Sequence, residues 1–302
     1  MMTQPDWIAV DWGTSNFRAW ACSRDGTVLE QVQSDKGMGK LAPQDFETVL
    51  LDAIQPFLGS APLPIICCGM VGAKQGWQEA PYATVPCEPA QFNNAVHVPT
   101  KDERLDVHIL GGMSQSAPAD VMRGEETQIA GFIDTHPDFE GVLCLPGTHT
   151  KWVHISAREI VSFRTFMTGE LFALLSDHSV LKHSVMDGDW DQPAFEAGLD
   201  TSISAPQMAA AHLFGLRAEG LVNGMTASVA RSRLSGMLIG LELAGSKPYW
   251  LGQEIVVIGD PKLSEVYVQA LGMQHAPAKT VNADQLTLSG LFAAYRHLKG
   301  TS

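Results

Sequence analysis

Apolar positions alternate with period two at the head of the chain. Ile8 and Val10 come before the polar stretch Gly13-Thr14-Ser15-Asn16, and Phe17, Ala19 and Ala21 come after it, which predicts two short strands around a tight turn. Gly26-Thr-Val-Leu-Glu-Gln-Val32 predicts a turn and a third strand, and a sheet that opens with antiparallel hairpins is not a Rossmann half. Between Asp45 and Phe57 the residues Phe46, Val49, Leu50, Ile54 and Phe57 fall at helical spacing. The runs Pro64-Ile-Ile-Cys-Cys-Gly69 and Val107-His-Ile-Leu110 predict buried strands. Val142 to Ile155 is apolar on each side of Pro146-Gly147-Thr148-His149-Thr150-Lys151, a second strand, polar turn and strand with Gly-Thr at the bend. From Ser179 to Gly245 the pattern is mostly helical, with start signals at Asp191-Gln-Pro193 and Ser204-Ala-Pro206 and a long helix over Thr226 to Leu243, on which Arg231 and Arg233 read as a solvated face. Glu254-Ile-Val-Val-Ile-Gly-Asp260 predicts another buried strand, Leu263 to Leu271 a helix, and Asp284 to Leu298 a final amphipathic helix.

A chain of 302 residues with 45% hydrophobic and 18% charged residues has room for two well-cored domains. The polar break Asp134-Thr-His-Pro-Asp-Phe-Glu-Gly141 is the candidate boundary, dividing the chain into 1–133 and 134–302. A net charge of −13 without a Lys/Arg cluster argues against nucleic-acid binding, and an anionic ligand would need local positive charge. Five cysteines, odd in number and without CxxC spacing, point to reduced thiols in a cytoplasmic protein. The first residues show no basic region or apolar signal stretch, and nowhere do about 18 apolar residues run together, so neither secretion nor a membrane span is expected. The histidines show no metal-site spacing: His149 and His154 lie five apart, and His-Glu-x-x-His is absent.

The first turn carries the candidate chemistry. Successive N–H groups in such a bend converge on an anion, Gly13 admits a phosphate to the main chain, and Thr14, Ser15 and Asn16 add donors. Asp11, just before it, is placed to hold a hydrated metal ion against those phosphates, although the same residues also suit an ordinary hairpin that bonds its own turn. The second Gly-Thr hairpin suggests a duplicated architecture with one phosphate-binding turn in each half. No Walker P-loop occurs, and Gly37-Met-Gly-Lys-Leu-Ala42 runs into Pro43 instead of opening a helix, against a dinucleotide role. In the loop Met70 to Tyr82, the residues Lys74, Trp77, Glu79 and Tyr82 suit a polyol contact or an unliganded cap equally.

These residues support a resemblance. The Asp-x-Gly-Thr-Ser-x-x-Arg-Ala hairpin (Asp11 to Ala19), the second Gly-Thr hairpin and the late strand ending in Gly259 occur in the order of actin-like, or hexokinase-type, sugar kinases. Gly69-Met-Val-Gly-Ala, Gly76-Trp-Gln-Glu-Ala-Pro-Tyr82, Asp120-Val-Met-Arg-Gly-Glu-Glu-Thr-Gln128 and Leu145-Pro-Gly-Thr-His-Thr-Lys-Trp152 resemble the 2-dehydro-3-deoxygalactonokinase family across essentially the whole chain. The resemblance implies an α/β protein of two ribonuclease-H-like (actin-like ATPase) domains flanking an interdomain cleft. It implies ATP-dependent phosphorylation, with Mg2+, of the C6 hydroxyl of 2-dehydro-3-deoxy-D-galactonate. Residues 1–133 would hold the first phosphate hairpin and the sugar-acid loops. Residues 134–302 would hold the second hairpin, a helical insertion and the adenosine site, with a last helix able to pack back on the N-terminal domain. Asp11, Gly13, Thr14 and Ser15 would form the first phosphate turn with its metal ligand, Gly147, Thr148 and Thr150 the second, and Gly259 the adenosine site. Many members of the wider superfamily begin the second phosphate strand with aspartate, whereas this chain has Leu145-Pro146 there, leaving Asp11 with less help.

Phosphoryl transfer needs charge neutralisation, alignment and a group to receive the hydroxyl proton. Arg18 and Lys151 are the basic residues in or beside the turns, and His149 is a further candidate phosphate contact. Glu125, at a predicted helix start in a place that resembles that of the catalytic aspartate of related polyol kinases, is the favoured base, and Glu126 is its competitor, since adjacent helical acids point about 100° apart and only one can face the substrate. For the substrate carboxylate, Lys36, Lys74 and Arg123 stand level, and Met70 joins the substrate loop through the family motif. Beyond the sugar acid, the one partner left open is a second copy of the chain in a homodimer. Two rival classes remain: a phosphatase or nucleotide hydrolase of the same superfamily, and a non-catalytic sugar-sensing module, for which a chain opening on its first strand leaves no room for a DNA-binding segment.

Overall fold

The computed structural model describes residues 4–89, 94–186 and 188–300. The first three residues, read above for a leader, lie outside them, as does Asp187 in the stretch read as helical. In chain order come β1 (Trp7–Trp12), β2 (Phe17–Cys22), β3 (Val28–Ser34), α1 (Phe46–Ile54), β4 (Leu63–Cys68), β5 (Tyr82–Thr84), β6 (Val96–Val98), β7 (Leu105–Ile109), β8 (Gly112–Ser116), β9 (Ala119–Met122) and α2 (Glu125–Thr135). The chain continues through β10 (Gly141–Leu145), β11 (Thr150–Ser156), β12 (Glu159–Phe166), α3 (Thr168–His178), α4 (Gln192–Ser204), α5 (Ala209–Val222), α6 (Ala227–Gly245), α7 (Lys247–Trp250), β13 (Ile255–Gly259), α8 (Pro261–Met273), β14 (Ala278–Asn282) and α9 (Ala283–Leu298). Two compact units result, one of Met1–Phe139, Ser156–Ser162 and Ala283–Ser302, the other of Glu140–Ile155 and Phe163–Asn282.

The first unit is built on a sheet of order β3-β2-β1-β4-β7-β6. β1 is antiparallel to β2 and parallel to β4, and β4 is parallel to β7. Almost every residue of β1 and β4 is buried because helices cover both faces, so the two strands read as continuous apolar runs. Ile8, Val10 and Trp12 pack with Phe46, Leu50 and Ile54 of α1, while Trp7 and Ala9 pack with Leu291, Ala294 and Tyr295 of α9. Trp7 stacks on Tyr295 with ring centroids 4.6 Å apart. Helices α2 and α9 cross backbone against backbone, since a Cβ on Gly131 would lie 2.1 Å from the carbonyl of Leu286 and one on Gly290 2.0 Å from that of Thr127. A small second sheet, β5-β8-β9, occupies a stretch in which the apolar pattern shows no strand.

The second unit repeats the first five positions of that sheet as β12-β11-β10-β13-β14. β10 is antiparallel to β11 and parallel to β13, and β13 is parallel to β14. Val142, Cys144, Trp152 and Val257 form its core with Phe195 and Leu199 of α4, Ile239 and Leu243 of α6, and Leu271 of α8. Helix α6 is packed by α3, α4, α5 and α8 and has no broad solvated face. That corrects the reading of its arginines: both are half-buried, and Arg231 donates to the Val185 carbonyl at 3.2 Å with its guanidinium 4.9 Å over the Phe172 ring. The described cysteines are all free thiols, four of them buried.

Candidate active site

The turn between β1 and β2 closes with the Gly13 N–H donating to the Asn16 carbonyl at 3.0 Å, which leaves Thr14 and Ser15 exposed at the tip. The Gly37-to-Lys40 segment supports it from behind, with Met38 N–H on the Gly13 carbonyl and Gly39 N–H on the Thr14 carbonyl, both at 2.9 Å. A Cβ at Gly37 would lie 2.2 Å from the Ser15 carbonyl carbon, so that glycine serves the turn and not a dinucleotide. Asp11 stands at the C-terminal end of β1, partly exposed. Its Oδ2 accepts from Arg18 Nη2 at 2.6 Å, and Arg18 also donates through Nη1 to Asp284 at the start of α9. Its Oδ1 faces Gly69, where a Cβ would come within 3.3 Å.

Helix α2 begins beside this end of the sheet, with Gly124 so near Gly69 that a Cβ on it would lie 3.4 Å from the Gly69 Cα. The two acids that open α2 separate by environment. Glu126 is fully buried, and both its oxygens accept from the Gly124 N–H, at 2.8 and 2.7 Å. Burial, with the neighbouring Glu125 charge, pushes its carboxyl up to about 8. Glu125 is half-exposed and accepts from the Arg123 backbone N–H at 3.2 Å. Asp11 and Glu126 both lie near enough to the buried Cys68 thiol for their charges to raise it, after desolvation, and so belong to one cluster.

The substrate-loop residues divide. Trp77 is half-buried, stacked on Phe46 at 6.1 Å and joined to the core. Met70 is half-buried, whereas Lys36, Lys74, Glu79 and Tyr82 are exposed. Arg123 is largely buried: Nη2 donates to the Ala80 carbonyl at 2.8 Å, the guanidinium lies 4.2 Å over the Tyr82 ring, and Nη1 has no hydrogen-bond partner.

In the second unit the turn Pro146 to Thr150 exposes Thr148 and His149, while Thr150 and Lys151 are buried. His149 Nε2 pairs with Glu170 Oε2 at 2.5 Å, and the Glu170 N–H donates to the Thr148 carbonyl at 2.9 Å. A Cβ on Gly169 would fall 2.3 Å from the Gly147 carbonyl oxygen, so the start of α3 presses directly on the turn. Gly259 stands against the same turn from β13, where a Cβ would meet Pro146 at 3.4 Å. Beneath the turn is a buried network that periodicity did not disclose. Glu242 of α6 accepts from Trp152 Nε1 at 2.8 Å, from the Tyr267 hydroxyl at 2.8 Å and from the Thr168 hydroxyl, and Thr150 Oγ1 meets the Tyr267 hydroxyl at 3.0 Å. A lone acid inside the apolar run Met237-Leu-Ile-Gly-Leu-Glu-Leu243 was the available signal. Next to the network is a cavity of about 170 Å³ lined by Gly147, Thr168, Gly169, Phe172, Leu238 and Tyr267.

Two sheets of one topology, each opening on a hairpin with a Gly-Thr turn, define an α/β protein of the actin-like fold, with two ribonuclease-H-like domains. A profile described as 2-keto-3-deoxy-galactonokinase matches residues 11–294, and the chain belongs to that family. It is 39% identical over 303 residues to a Rhizobium meliloti (strain 1021) protein named probable 2-dehydro-3-deoxygalactonokinase DgoK1, covering 98% of each chain. It is 33% identical to the 2-dehydro-3-deoxygalactonokinase of Escherichia coli (strain K12), covering 94% of this chain and 96% of that one. Its fold superposes with a TM-score of 0.91, at 39% identity, on the crystal structure of a Sinorhizobium meliloti protein assigned as a 2-dehydro-3-deoxygalactonokinase, over 97% of this chain and 99% of that one. Among the described residues no helix is long and apolar enough to cross a membrane.

Proposed function

We propose that the chain transfers the γ-phosphoryl group of ATP to the C6 hydroxyl of 2-dehydro-3-deoxy-D-galactonate in the cytoplasm. The observation that carries this reading, within the family, is the cluster at the end of β1: a phosphate-type turn, a partly exposed carboxylate at Asp11 and the half-exposed Glu125 at the start of α2. The chemistry of the Asp11 position suits Mg2+, a hard cation that takes one or two carboxylates and keeps waters and phosphate oxygens for the rest of its shell. Oδ1 faces the Gly69 backbone and accepts only the weak thiol donor of Cys68, at 3.9 Å. Asp11 would hold the ion, which when bound screens the phosphate charge.

The chain's own groups do the rest. Thr14 and Ser15 offer donors to phosphate oxygens, Gly13 closes the turn beneath them through its N–H on the Asn16 carbonyl, and Arg18, fixed between Asp11 and Asp284, adds a positive charge. Gly147, Thr148 and His149 supply the second phosphate turn, with Thr150 and Lys151 bracing it from the buried side and Gly259, packed against Pro146 and Ser264, at the adenosine site. Glu125, in the first turn of α2, receives the proton of the acceptor hydroxyl. Glu126, occupied by the Gly124 N–H, aims the helix start. The sugar acid lies along the loop of Met70, Trp77, Glu79 and Tyr82, its carboxylate met by the exposed Lys36 or Lys74 or by Arg123, whose buried Nη1 has no hydrogen-bond partner.

The test is coupled ATP consumption against a panel of 3-deoxy-2-keto sugar acids and plain hexoses, with and without Glu125→Gln. The expected result is turnover restricted to the sugar acids, falling roughly 10²- to 10⁴-fold in the variant with nucleotide affinity retained. Phosphate release from ATP without any sugar acid, or near-normal turnover in the variant, refutes the assignment.

A further inference from the structure

On the edge of the first sheet, away from the groups used above, two imidazoles and a carboxylate converge. His97 of β6 lies directly across from His108 of β7, and Asp106 lies two residues before His108 on the same pleat face. The opposite face of β7, with Leu105, Val107 and Ile109, is buried in the core. His108 Nε2 is 2.8 Å and His97 Nε2 3.4 Å from the same oxygen, Asp106 Oδ1, and the three candidate ligand atoms all lie within 4.8 Å of one another. The imidazole rings are 5.1 Å apart in a T-shaped arrangement. Among the described residues this is the one set of three such side chains whose ligand atoms meet.

We propose that His97, Asp106 and His108 bind a zinc-class divalent transition metal that ties the edge strand β6 to β7. Zinc bonds nitrogen and oxygen at about 2.0–2.1 Å, so tetrahedral ligand atoms stand about 3.3 Å apart, a spacing reached here by small side-chain rotations. Two neutral imidazoles and one carboxylate suit zinc and its borderline neighbours, and they suit magnesium poorly, since it selects oxygen. His97 is largely exposed, which leaves a fourth position open to water. Strand β6 is three residues long and pairs with β7 alone in the sheet, so a bond between side chains on the two strands adds directly to its hold. The charge of the chain, −13, favours accumulation of the cation.

The experiment is equilibrium dialysis of the full chain against Zn2+ in the presence of millimolar Mg2+, with thermal melting on the same samples and Co2+ absorption as a geometric probe. The wild-type chain is expected to take up one Zn2+ competed by Co2+ but not by Mg2+, with a melting midpoint that rises as the site fills. His97→Ala removes an exposed ligand, and Asp106→Asn is an isosteric second variant. Each is expected to weaken binding by ~10-fold or more and to abolish the zinc-dependent melting shift. No saturable uptake by the wild type, or uptake unchanged in both variants, overturns the site.

Discussion

Replacing Glu242 tests whether the buried network holds the second phosphate turn. Its carboxyl is fully enclosed and receives the Trp152 indole N–H, the Tyr267 hydroxyl and the Thr168 hydroxyl. In Glu242→Ala the two hydroxyls can rotate toward other acceptors, but the indole N–H is fixed by its ring and stays unpaired, at about 1–3 kcal/mol. The emptied side-chain volume and the loosened hydroxyls bring the expected loss to about 3–5 kcal/mol. For a unit of this size, at roughly 3 °C per kcal/mol, the melting midpoint falls by about 9–15 °C. Glu242→Gln behaves differently: its carbonyl can accept from Trp152 while its amide donates to the Thr168 and Tyr267 oxygens, and the loss is below about 1 kcal/mol. Thermal melting of both variants, followed by ATP titration in the coupled assay, reads the difference. The alanine variant should also show a raised KM for ATP, because Thr168 and Thr150 bracket the turn. An alanine variant that melts within ~2 °C of wild type refutes the network as a support.

Glu126 predicts a pH dependence. Its folded carboxyl titrates at about 8 because of burial and the adjacent Glu125 charge, above its unfolded value, so the folded state binds the extra proton and unfolding free energy falls as pH rises from about 4.5 to 8. Urea midpoints at pH 6 and pH 9 should show this decline in the wild type and a flatter profile in Glu126→Gln; identical profiles exclude Glu126 as its source. Gly131→Ala places a methyl against the Leu286 carbonyl at 2.1 Å, and the α2–α9 crossing must open, at about 1–3 kcal/mol by urea denaturation, with turnover reduced because α2 carries Glu125. An unchanged midpoint would show that the helices separate without strain.

The hairpin of β1 and β2 was legible because its apolar residues alternate around an unmistakable polar turn, and the Gly-Thr repeat at Gly147 and Thr148 marked its counterpart. The β5-β8-β9 sheet was not, because strands of three to five residues with Gly112, Ser114 and Gln115 among them show too little alternation to register. Burial on both faces of β11 likewise hid that Thr150 turns inward to Tyr267. Trp77, an aromatic in a glycine-rich loop, suited a polyol contact or an unliganded cap equally, and its stacking on Phe46 could not be read from spacing along the chain. Spacing along the chain shows no histidine metal site, yet His97 and His108 become neighbours through strand pairing, a relation that only the register of β6 on β7 creates. Asp284 escaped notice for the same reason: its link to Arg18 spans nearly the whole chain.

The backbone-to-backbone crossing of α2 and α9 has a consequence for how the protein is made. The first unit takes its last helix from residues that leave the ribosome after the whole second unit has been synthesised. Its Trp7 lacks Tyr295, and its Arg18 lacks Asp284, until the final stretch emerges. A nascent chain interrupted anywhere before α9 therefore carries Asp11 and Glu125 on an unfinished scaffold, which α9 completes.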